Sequence, residues 1–216
     1  MGLNQVINEM NVSKGFYVRL CKGAGAFVIA FTFASVSLAA TFTTISDGNW
    51  SSASTWQGGN IPNTASDIPS GDTINIRHTL NYNTGNPLKN QGTINIQPVL
   101  GTTAILNFPT NINVENYGTF NVVNGQFLQC RFADCDDGQP YTGTNPQGNA
   151  NSGTWKNIGG TVLLQNANVE VAQDWVSESG GKRTMLDSCV TTGQNFSITD
   201  SIEVIRRSTI TIGWHG

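Results

Sequence analysis

A short phrase of sequence occurs three times in this chain, and it constrains the fold more than any other feature. Leu88-Lys-Asn-Gln-Gly-Thr-Ile-Asn-Ile96 returns as Val114-Glu-Asn-Tyr-Gly-Thr-Phe-Asn-Val122 and, more loosely, as Trp155-Lys-Asn-Ile-Gly-Gly-Thr-Val-Leu-Leu164. Each copy has an Asn, a Gly one or two residues later, and a Thr that opens a strand of alternating apolar residues. Such repetition is typical of a solenoid, in which each repeat forms one coil.

The composition favours strands and turns over helices. Only 12% of the 216 residues are charged, 24 are Gly, and 22 Asn follow Ala40. Asn, Ser and Thr compete with the helical hydrogen-bond ladder, so an all-β fold is predicted. The predicted strands are short and alternating: Thr73–Ile76, Thr93–Ile96, Ala104–Asn107, Ile112–Val114, Thr119–Val122, Thr161–Leu164, Val169–Val171, Ser197–Thr199, Ile202–Ile205 and Thr209–Ile212.

The spacing of the phrase varies along the chain. Gly92 and Gly118 are 26 residues apart, whereas Gly118 and Gly159 are 41 apart. The longer interval fits either two coils or one coil with an excursion. Residues 129–154 have little apolar alternation and several turn residues, so we expect one coil with a loop thrown out from the stack.

Residues 1–40 form a separate segment that is typical of a secretory signal peptide. Lys14, Arg19 and Lys22 precede an uncharged run, 23–40, that ends in small residues. We expect a signal peptide helix, cleaved after Ala39 rather than after Ala40. The alternative is an uncleaved membrane anchor, since the run is long enough to span a bilayer. The chain would otherwise have no contact with membranes.

Charge and cysteine content limit the classes of partner and cofactor that are expected for this chain. After residue 40 the chain has eight basic and thirteen acidic side chains, a formal charge of −5, so a nucleic-acid partner is not expected. Export to an oxidising space favours a disulfide between Cys130 and Cys135. Cys189 is then a buried thiol, a partner of one of those two cysteines, or a partner of a cysteine in sequence beyond these 216 residues. The scattered Cys and His residues do not predict a zinc site.

The segment from Ser46 to Pro62, followed by Ile68-Pro-Ser-Gly-Asp-Thr-Ile-Asn-Ile76, resembles the eight-glycine domain of large exported bacterial surface proteins. The similarity covers residues 44 to 96. It rests on a Gly-x-Trp, a Thr-Trp about six residues later, a Gly-Gly, a Pro and an Ile-Pro-x-Gly before a strand. The resemblance implies an N-terminal cap on a right-handed parallel β-helix, and type-nine secretion of an adhesin or polysaccharide-associated protein.

Two tryptophans and several turn residues suit the start of such a stack. Trp50 and Trp56 can cover the open end with large rings whose N–H groups reach backbone oxygens. The alternative is an exposed platform on which sugars stack. We therefore assign residues 41–76 to the cap and first coil, and 77–216 to coils of the β-helix. Gly58, Gly59 and Gly71 are expected to have positive φ.

The Asn of each repeated phrase is predicted to be structural. Asn90, Asn116 and Asn157 occupy matching places before the Gly, where Asn can adopt a left-handed conformation and bond to the amide one coil away. An amide ladder of this kind needs a donor and an acceptor on every coil. No catalytic scheme needs three amides in a row.

The excursion is the first place to expect function, because a loop on a rigid scaffold can vary freely. Asp134, Asp136 and Asp137 could bind calcium through their carboxylates, although their spacing departs from the twelve-residue calcium loop. The alternative is a solvated acidic turn.

Paired carboxylates could instead hydrolyse glycosidic bonds, and a lyase would need a base beside a charge-neutralising group. The candidate carboxylates are Asp174, Glu178, Asp187, Asp200 and Glu203, and the candidate basic clusters are Lys182-Arg183 and Arg206-Arg207 with His215. Each of these is more typical of a solvated coil face.

Two classes of function follow from this pattern. The first is a non-catalytic scaffold or adhesin module, secreted or on the outer cell surface, that contacts a polysaccharide or a cell-surface protein. The second is a polysaccharide lyase or glycoside hydrolase built on a β-helix. The repetitive scaffold and few titratable clusters favour the first. A solenoid stopped in mid-stack exposes its last coil, so we expect either a longer protein or an end-to-end contact at the C-terminal coil.

Overall fold

Alternation of polar and apolar residues builds a wall from short parallel strands. In Thr73–Ile76 the side chains of Ile74 and Ile76 are buried, while Thr73 and Asn75 face outward, as the two-residue period of a strand requires. This strand pairs in parallel, and in register, with the nearly identical Thr93–Ile96. Like residues therefore stack on like residues from coil to coil.

The computed structural model describes residues 17–19, 28–30, 39–62, 67–109, 112–129 and 153–212. Two units, Met1–Leu38 and Ala39–Gly216, separate by their contacts. In the first unit β1 (Tyr17–Arg19) pairs antiparallel with β2 (Val28–Ala30). The helix predicted there is wrong for these residues; β-branched Val28 and Ile29 favour a strand. Among the described residues, no helix is long and apolar enough to cross a membrane.

The described residues of the second unit form twenty strands. In chain order they are β3 (Thr41–Thr43), β4 (Gly48–Asn49), β5 (Asp67–Ile68), β6 (Thr73–Ile76), β7 (Thr79–Asn81), β8 (Leu88–Asn90), β9 (Thr93–Ile96), β10 (Ile105–Asn107), β11 (Val114–Asn116), β12 (Thr119–Val123), β13 (Gln126–Leu128), β14 (Trp155–Ile158), β15 (Thr161–Gln165), β16 (Asn168–Val171), β17 (Asp174–Glu178), β18 (Lys182–Leu186), β19 (Cys189–Thr192), β20 (Asn195–Ile198), β21 (Ile202–Arg206) and β22 (Thr209–Ile212). Two short 3-10 turns, Ala53–Thr55 and Gln57–Gly59, follow β4.

Every third strand belongs to the same sheet, so each coil contributes one strand to each of three parallel sheets. Sheet 1 has seven strands, from β3 to β21; sheet 2 has seven, from β4 to β22; and sheet 3 has six, from β5 to β20. The all-β parallel solenoid is therefore confirmed. Thr119 pairs directly with Thr161, so these two strands belong to successive coils; most of the predicted excursion, residues 129–154, lies outside the described residues.

The core is a column of apolar and aromatic side chains along the solenoid axis. Trp50 and Trp56 are 1% exposed and pack edge to face with 5.4 Å between ring centroids. The run of ring contacts continues through Tyr82, Phe108, Phe127, Phe120, Trp155 and Trp175. Contacts of this kind add about 0.5–1.5 kcal/mol each beyond burial of the rings.

A left-handed residue marks the corner between sheets 1 and 2 in four coils. Asn124, Asn166, Asp187 and Arg207 follow β12, β15, β18 and β21, and all have φ between 46° and 53°. The left-handed conformation predicted for Asn90, Asn116 and Asn157 is wrong, because these residues lie in strands and are not among those with positive φ. Gly58, Gly59 and Gly71 do have positive φ, as predicted.

The ten predicted strands all overlap strands of the structure; three of them, Thr73–Ile76, Thr93–Ile96 and Thr209–Ile212, have the predicted bounds, and the bounds of the other seven differ. The segment 112–114, for example, corresponds to a strand that begins at Val114. The prediction missed ten strands of this unit, including most of sheet 3. Several of them are only two or three residues long and contain Asn or Asp, such as Gly48–Asn49, Asp67–Ile68 and Thr79–Asn81, which is typical of turn sequence. The first coil, β3 to β5, begins at Thr41, whereas the first predicted strand begins at Thr73.

Candidate functional site

The outer face of sheet 1 carries an ordered array of uncharged polar side chains. Parallel register stacks Thr73 on Thr93 and Thr93 on Thr119, with Thr161 next in the column. A second column two residues along the strands contains Asn75, Asn95 and Asn121. Adjacent coils are about 4.8 Å apart in such a sheet. The array therefore presents hydroxyls and amides at a regular spacing.

Hydrogen bonds between the outer amides fix their orientation. Asn95 donates from Nδ2 to Asn75 Oδ1 at 3.0 Å, and Asn121 donates from Nδ2 to Asn95 Oδ1 at 2.8 Å. Asn75 Nδ2 donates to Thr43 Oγ1 at 3.3 Å. Because an amide group has two N–H donors and an oxygen with two lone pairs, the ladder uses only half of each group's capacity. Asn75, Asn95 and Asn121 are partly exposed, so solvent or a ligand can reach these side chains.

A depression of about 240 Å³ lies at the edge of this array. It is lined by Asn75, Arg77, Asn95, Gln97, Pro98 and Val99. Arg77 is exposed and follows β6; its backbone N–H donates to Thr44 Oγ1 at 2.9 Å, which anchors the residue at the corner of the coil. The depression therefore combines one cation with amides on a fixed backbone.

One wall of the depression comes from a loop inserted between β9 and β10. Thr102 closes a tight turn, because its backbone N–H donates to Val99 O at 3.0 Å and its Oγ1 bonds to both the N–H and the C=O of Val99. Val99 is 42% exposed and Leu100 is fully exposed. The polar floor of the depression thus has an apolar rim beside it.

The predicted amide ladder of the repeated phrase is present, and it lies inside the wall. Asn90, Asn116 and Asn157 have no exposed surface. Asn90 Nδ2 donates to Asn116 Oδ1 at 2.7 Å, and Asn116 Nδ2 donates to Asn157 Oδ1 at 2.9 Å. Since these amides also donate to backbone carbonyls, they stabilise the stacking of coils and offer nothing to a ligand.

Trp50 and Trp56 are buried and present no ring face to solvent. Trp56 Nε1 donates to Trp50 O at 2.8 Å, the kind of backbone contact expected of a covering residue. The indole N–H of Trp50 has no partner among the described residues. A sugar-stacking platform at these two rings is therefore wrong, because a ring must be exposed to stack on a sugar.

Three of the five candidate carboxylates, Asp174, Asp187 and Glu203, bind three separate partners. Asp187 binds Arg207 on the surface, and Glu203 binds the buried Arg183. Asp174 Oδ1 accepts hydrogen bonds from the backbone and side chain of Asn195. Burial of the guanidinium lowers the pKa of Arg183, and attraction to Glu203 acts in the opposite direction.

The basic pair Lys182-Arg183 is split between the two faces of β18. Lys182 is exposed, while Arg183 points into the core above Phe196, with 4.2 Å between its Cζ and the ring centroid. Its Nη1 and Nη2 atoms have no hydrogen-bond partner in the described part of the chain. The buried charge is stabilised by the hydrogen bond from Nε to Glu203 and by contacts with the faces of Phe196 and Trp175.

Several predicted residues lie outside the described residues. These are the calcium candidates Asp134, Asp136 and Asp137, the disulfide candidates Cys130 and Cys135, and His215. Elsewhere, in the ranges that the structure describes, no group of three or more His, Cys, Asp and Glu side chains could hold a metal ion. Cys189 is free and exposed, so a buried thiol is wrong for that residue.

The outer array and Arg77 were missed by the sequence prediction. The signal was present in the repeated phrase, whose second Asn alternates with two buried residues in Thr93–Ile96 and Thr119–Val123. An alternating strand assigns this Asn to the outer face. Arg77 could not be singled out, because the loop that walls the depression has no counterpart in the other repeats.

Comparisons of the chain with protein-family models, with curated proteins and with solved structures found no significant match.

Proposed function

We propose that this protein is a non-catalytic, glycan-binding module of a secreted or cell-surface scaffold or adhesin. The observation that carries the proposal is the outer face of sheet 1, where the amides of Asn75, Asn95 and Asn121 lie in a hydrogen-bonded row beside Arg77. Glycans offer closely spaced hydroxyls, each able to donate and to accept. Fixed amides and a guanidinium are suited to such groups.

Rigidity adds to the suitability of this face. The ladder holds each outer amide before a ligand arrives, so little side-chain entropy is lost on binding. The exposed apolar rim at Val99 and Leu100 can contact the C–H surface of a sugar ring. A linear chain lying across β6, β9 and β12 would meet the same pair of side chains, Thr and Asn, on each of these three coils.

The lining of the depression favours binding over catalysis. Glycoside hydrolysis uses two carboxylic acids at a fixed separation, and none of the six lining residues is an acid. The ion-paired acids Asp187 and Glu203 lie on later coils. A polysaccharide lyase or glycoside hydrolase is therefore the weaker candidate.

The proposal also covers the export of this protein and the hand in which its coils wind. The charged start and the uncharged run of residues 1–40 support a signal peptide that directs secretion, in the manner of the type-nine substrates that the first coil resembles. The coils are proposed to wind right-handed, because crossovers between parallel strands of one sheet almost always have that hand.

The test is a glycan array read together with a reducing-sugar release assay on the same glycans. Wild type is expected to bind a subset of glycans and to release no reducing ends from them. Arg77→Ala should bind those glycans about tenfold more weakly, since a hydrogen bond from a charged group contributes roughly 1.5 kcal/mol or more.

The matched control is Asn107→Ala. Asn107 forms an outer amide ladder on sheet 2, where its Nδ2 donates to Asn81 Oδ1 at 2.9 Å, and this variant should bind like wild type. Release of reducing ends by wild type would overturn the non-catalytic role. Binding that Arg77→Ala leaves unchanged would remove this face as the site.

A further inference from the structure

Charge is distributed unevenly over the three sheets of the solenoid. The seven described strands of sheet 1 contain one acidic residue, Glu203, and it binds the buried Arg183. Exposed cations do lie on this side: Arg77 follows β6, and Lys182 and Arg206 lie in β18 and β21. The chain as a whole has more acidic than basic residues, 14 against 11. The outer face of sheet 1 therefore has the opposite charge balance to the whole chain.

Sheet 3 has a different arrangement, in which acids and bases alternate from coil to coil. In the parallel register Lys89 lies between Asp67 and Glu115. Glu115 in turn pairs with Lys156. Neighbouring positions in such a column are about 4.8 Å apart, close enough for opposite charges to attract one another. The lysines of sheet 3 are thus partly neutralised by acids of the same chain.

Arg77 has no carboxylate partner among the described residues. The two ion pairs found there belong to other arginines. On the next coil the matching position is occupied by Gln97, since Ile76 pairs with Ile96, and none of the residues that line the depression is acidic. An exposed guanidinium without a carboxylate partner can bind an anionic group of a ligand, and no lining acid would repel that group.

The amides beside Arg77 supply further hydrogen-bond donors. Asn75 and Asn95 each use one of the two N–H groups of Nδ2 in the outer ladder, with Thr43 Oγ1 and Asn75 Oδ1 as the acceptors. The second N–H of each has no acceptor among the described residues. A guanidinium has donors only. The lining therefore offers N–H groups from three side chains to a ligand oxygen.

The amides of the outer ladder also point in one direction. Asn121 donates to Asn95, Asn95 to Asn75, and Asn75 to Thr43, so each donor is directed at the preceding coil. Dipoles aligned head to tail add, and the positive end of this row lies at Asn75. Asn75 and Arg77 line the same depression. The aligned amides and the guanidinium thus favour negative charge at the same place.

We propose that the glycan bound by this face is acidic, and that Arg77 binds the carboxylate of one of its uronic acid units. This inference rests on the proposed glycan binding and names the class of glycan. A guanidinium can donate two parallel hydrogen bonds to a carboxylate, which also orients the sugar ring. The depression, at about 240 Å³, is smaller than the pockets of about 300–1,000 Å³ that hold drug-sized ligands, so it receives one sugar unit.

The test compares the uronic acid oligosaccharides of the glycan array with their methyl esters, which keep the hydroxyls and lose the charge. Wild type should bind the acid at least about tenfold more tightly than the ester, because hydrogen bonds between charged groups are stronger than neutral ones. In about 1 M salt, where charges are screened beyond about 3 Å, the acid should bind more weakly and the ester as before.

Two variants connect the preference to Arg77. Arg77→Gln keeps amide donors and removes the charge, so acid and ester should bind it with about equal affinity. The matched control is Lys156→Gln, which removes one positive charge from sheet 3 and should keep the tenfold preference of wild type. Circular dichroism checks that both variants are folded.

Several results would overturn the choice of an acidic glycan and leave glycan binding in place. These are equal binding of acid and ester by wild type, an array in which only neutral or only sulfated glycans bind, and an Arg77→Gln variant that keeps the preference for the acid. An array to which wild type does not bind at all contradicts the proposed function itself, so the two failures are distinguishable.

Discussion

At the scale of single residues, asparagine does two separate jobs in this chain. One row, Asn90, Asn116 and Asn157, is buried and joins the coils from within. The other, which includes Asn75 and Asn95, lies on the outer face and is partly exposed. A buried amide that loses its partners costs far more than an exposed one, because water cannot replace the bonds.

Replacing Asn116 by Leu should therefore destabilise the fold strongly. The change removes one of the two acceptors of Asn90 Nδ2 and the Asn116 donor to Asn157 Oδ1. We expect a loss of about 3 kcal/mol and a fall in melting temperature of about 10 °C, measured by calorimetry. Asn95→Leu, on the outer ladder, is the control and should cost less than about 1 kcal/mol. Equal losses in the two variants would contradict the difference between the ladders.

The surface pair of Asp187 and Arg207 gives a prediction about pH. The hydrogen bond from Arg207 holds the pKa of the Asp187 carboxyl below its ordinary value. A depressed pKa means that the pair stabilises the fold above pH about 4 and that this contribution is lost as pH falls further. Since both groups are exposed, the contribution is small.

Titration of the side-chain carboxyl carbons by NMR measures this shift directly. The Asp187 midpoint should rise in Arg207→Gln and stay unchanged in Arg206→Gln, which alters the neighbouring arginine. An Asp187 midpoint that is the same in wild type and Arg207→Gln would show that the ion pair is not formed in solution.

At the scale of the strand and its turn, glycine sets how closely the coils approach. Gly118 lies under the carbonyl of Gly92, and a Cβ there would collide with that oxygen and with the backbone of Gln91. The backbone of Gly118 has no positive φ. The glycine of the repeated phrase is therefore required for space at this position, in addition to any role in turning the chain.

Gly118→Ala should destabilise the protein by about 3 kcal/mol, because a rigid neighbouring backbone cannot yield. Gly101→Asn is the control, since a Cβ at Gly101 meets nothing within 4 Å and Asn tolerates its left-handed φ of 83°. Urea denaturation of both variants measures the difference. A Gly118→Ala variant as stable as wild type would mean that adjacent coils are farther apart than described.

Sequence periodicity predicted the strands that repeat most regularly and missed the others. Strands with two buried branched residues, such as Thr93–Ile96, were predicted with correct bounds. The strand Lys182–Leu186 was missed because one of its buried residues is Arg183. A buried arginine is not expected from the alternating pattern, and this one is stabilised by contacts with Trp175 and Phe196. Corner residues such as Asp187 and Arg207 take a left-handed conformation for which their residue type gives little local signal.

At the scale of the whole molecule, the residues that hold the coils together are distinct from those on the outer face of sheet 1. The aromatic column and the inner amides occupy the axis and the wall, so the outer face of sheet 1 can carry polar groups without cost to the core. The depression could not be predicted from the sequence, because it depends on a loop of one coil standing beside a row formed by three. Function was expected in residues 129–154, and most of that segment lies outside the described residues.

The most direct test of the proposed glycan binding is an NMR titration of the wild-type protein with the glycans of the array, followed through the side-chain amide N–H signals. Our account predicts that the signals of Asn75, Asn95 and Gln97 shift as glycan is added, while those of Asn81 and Asn107 on sheet 2 do not. Shifts confined to residues 129–154 or to sheet 2 would contradict the assignment of the outer face of sheet 1 as the binding site.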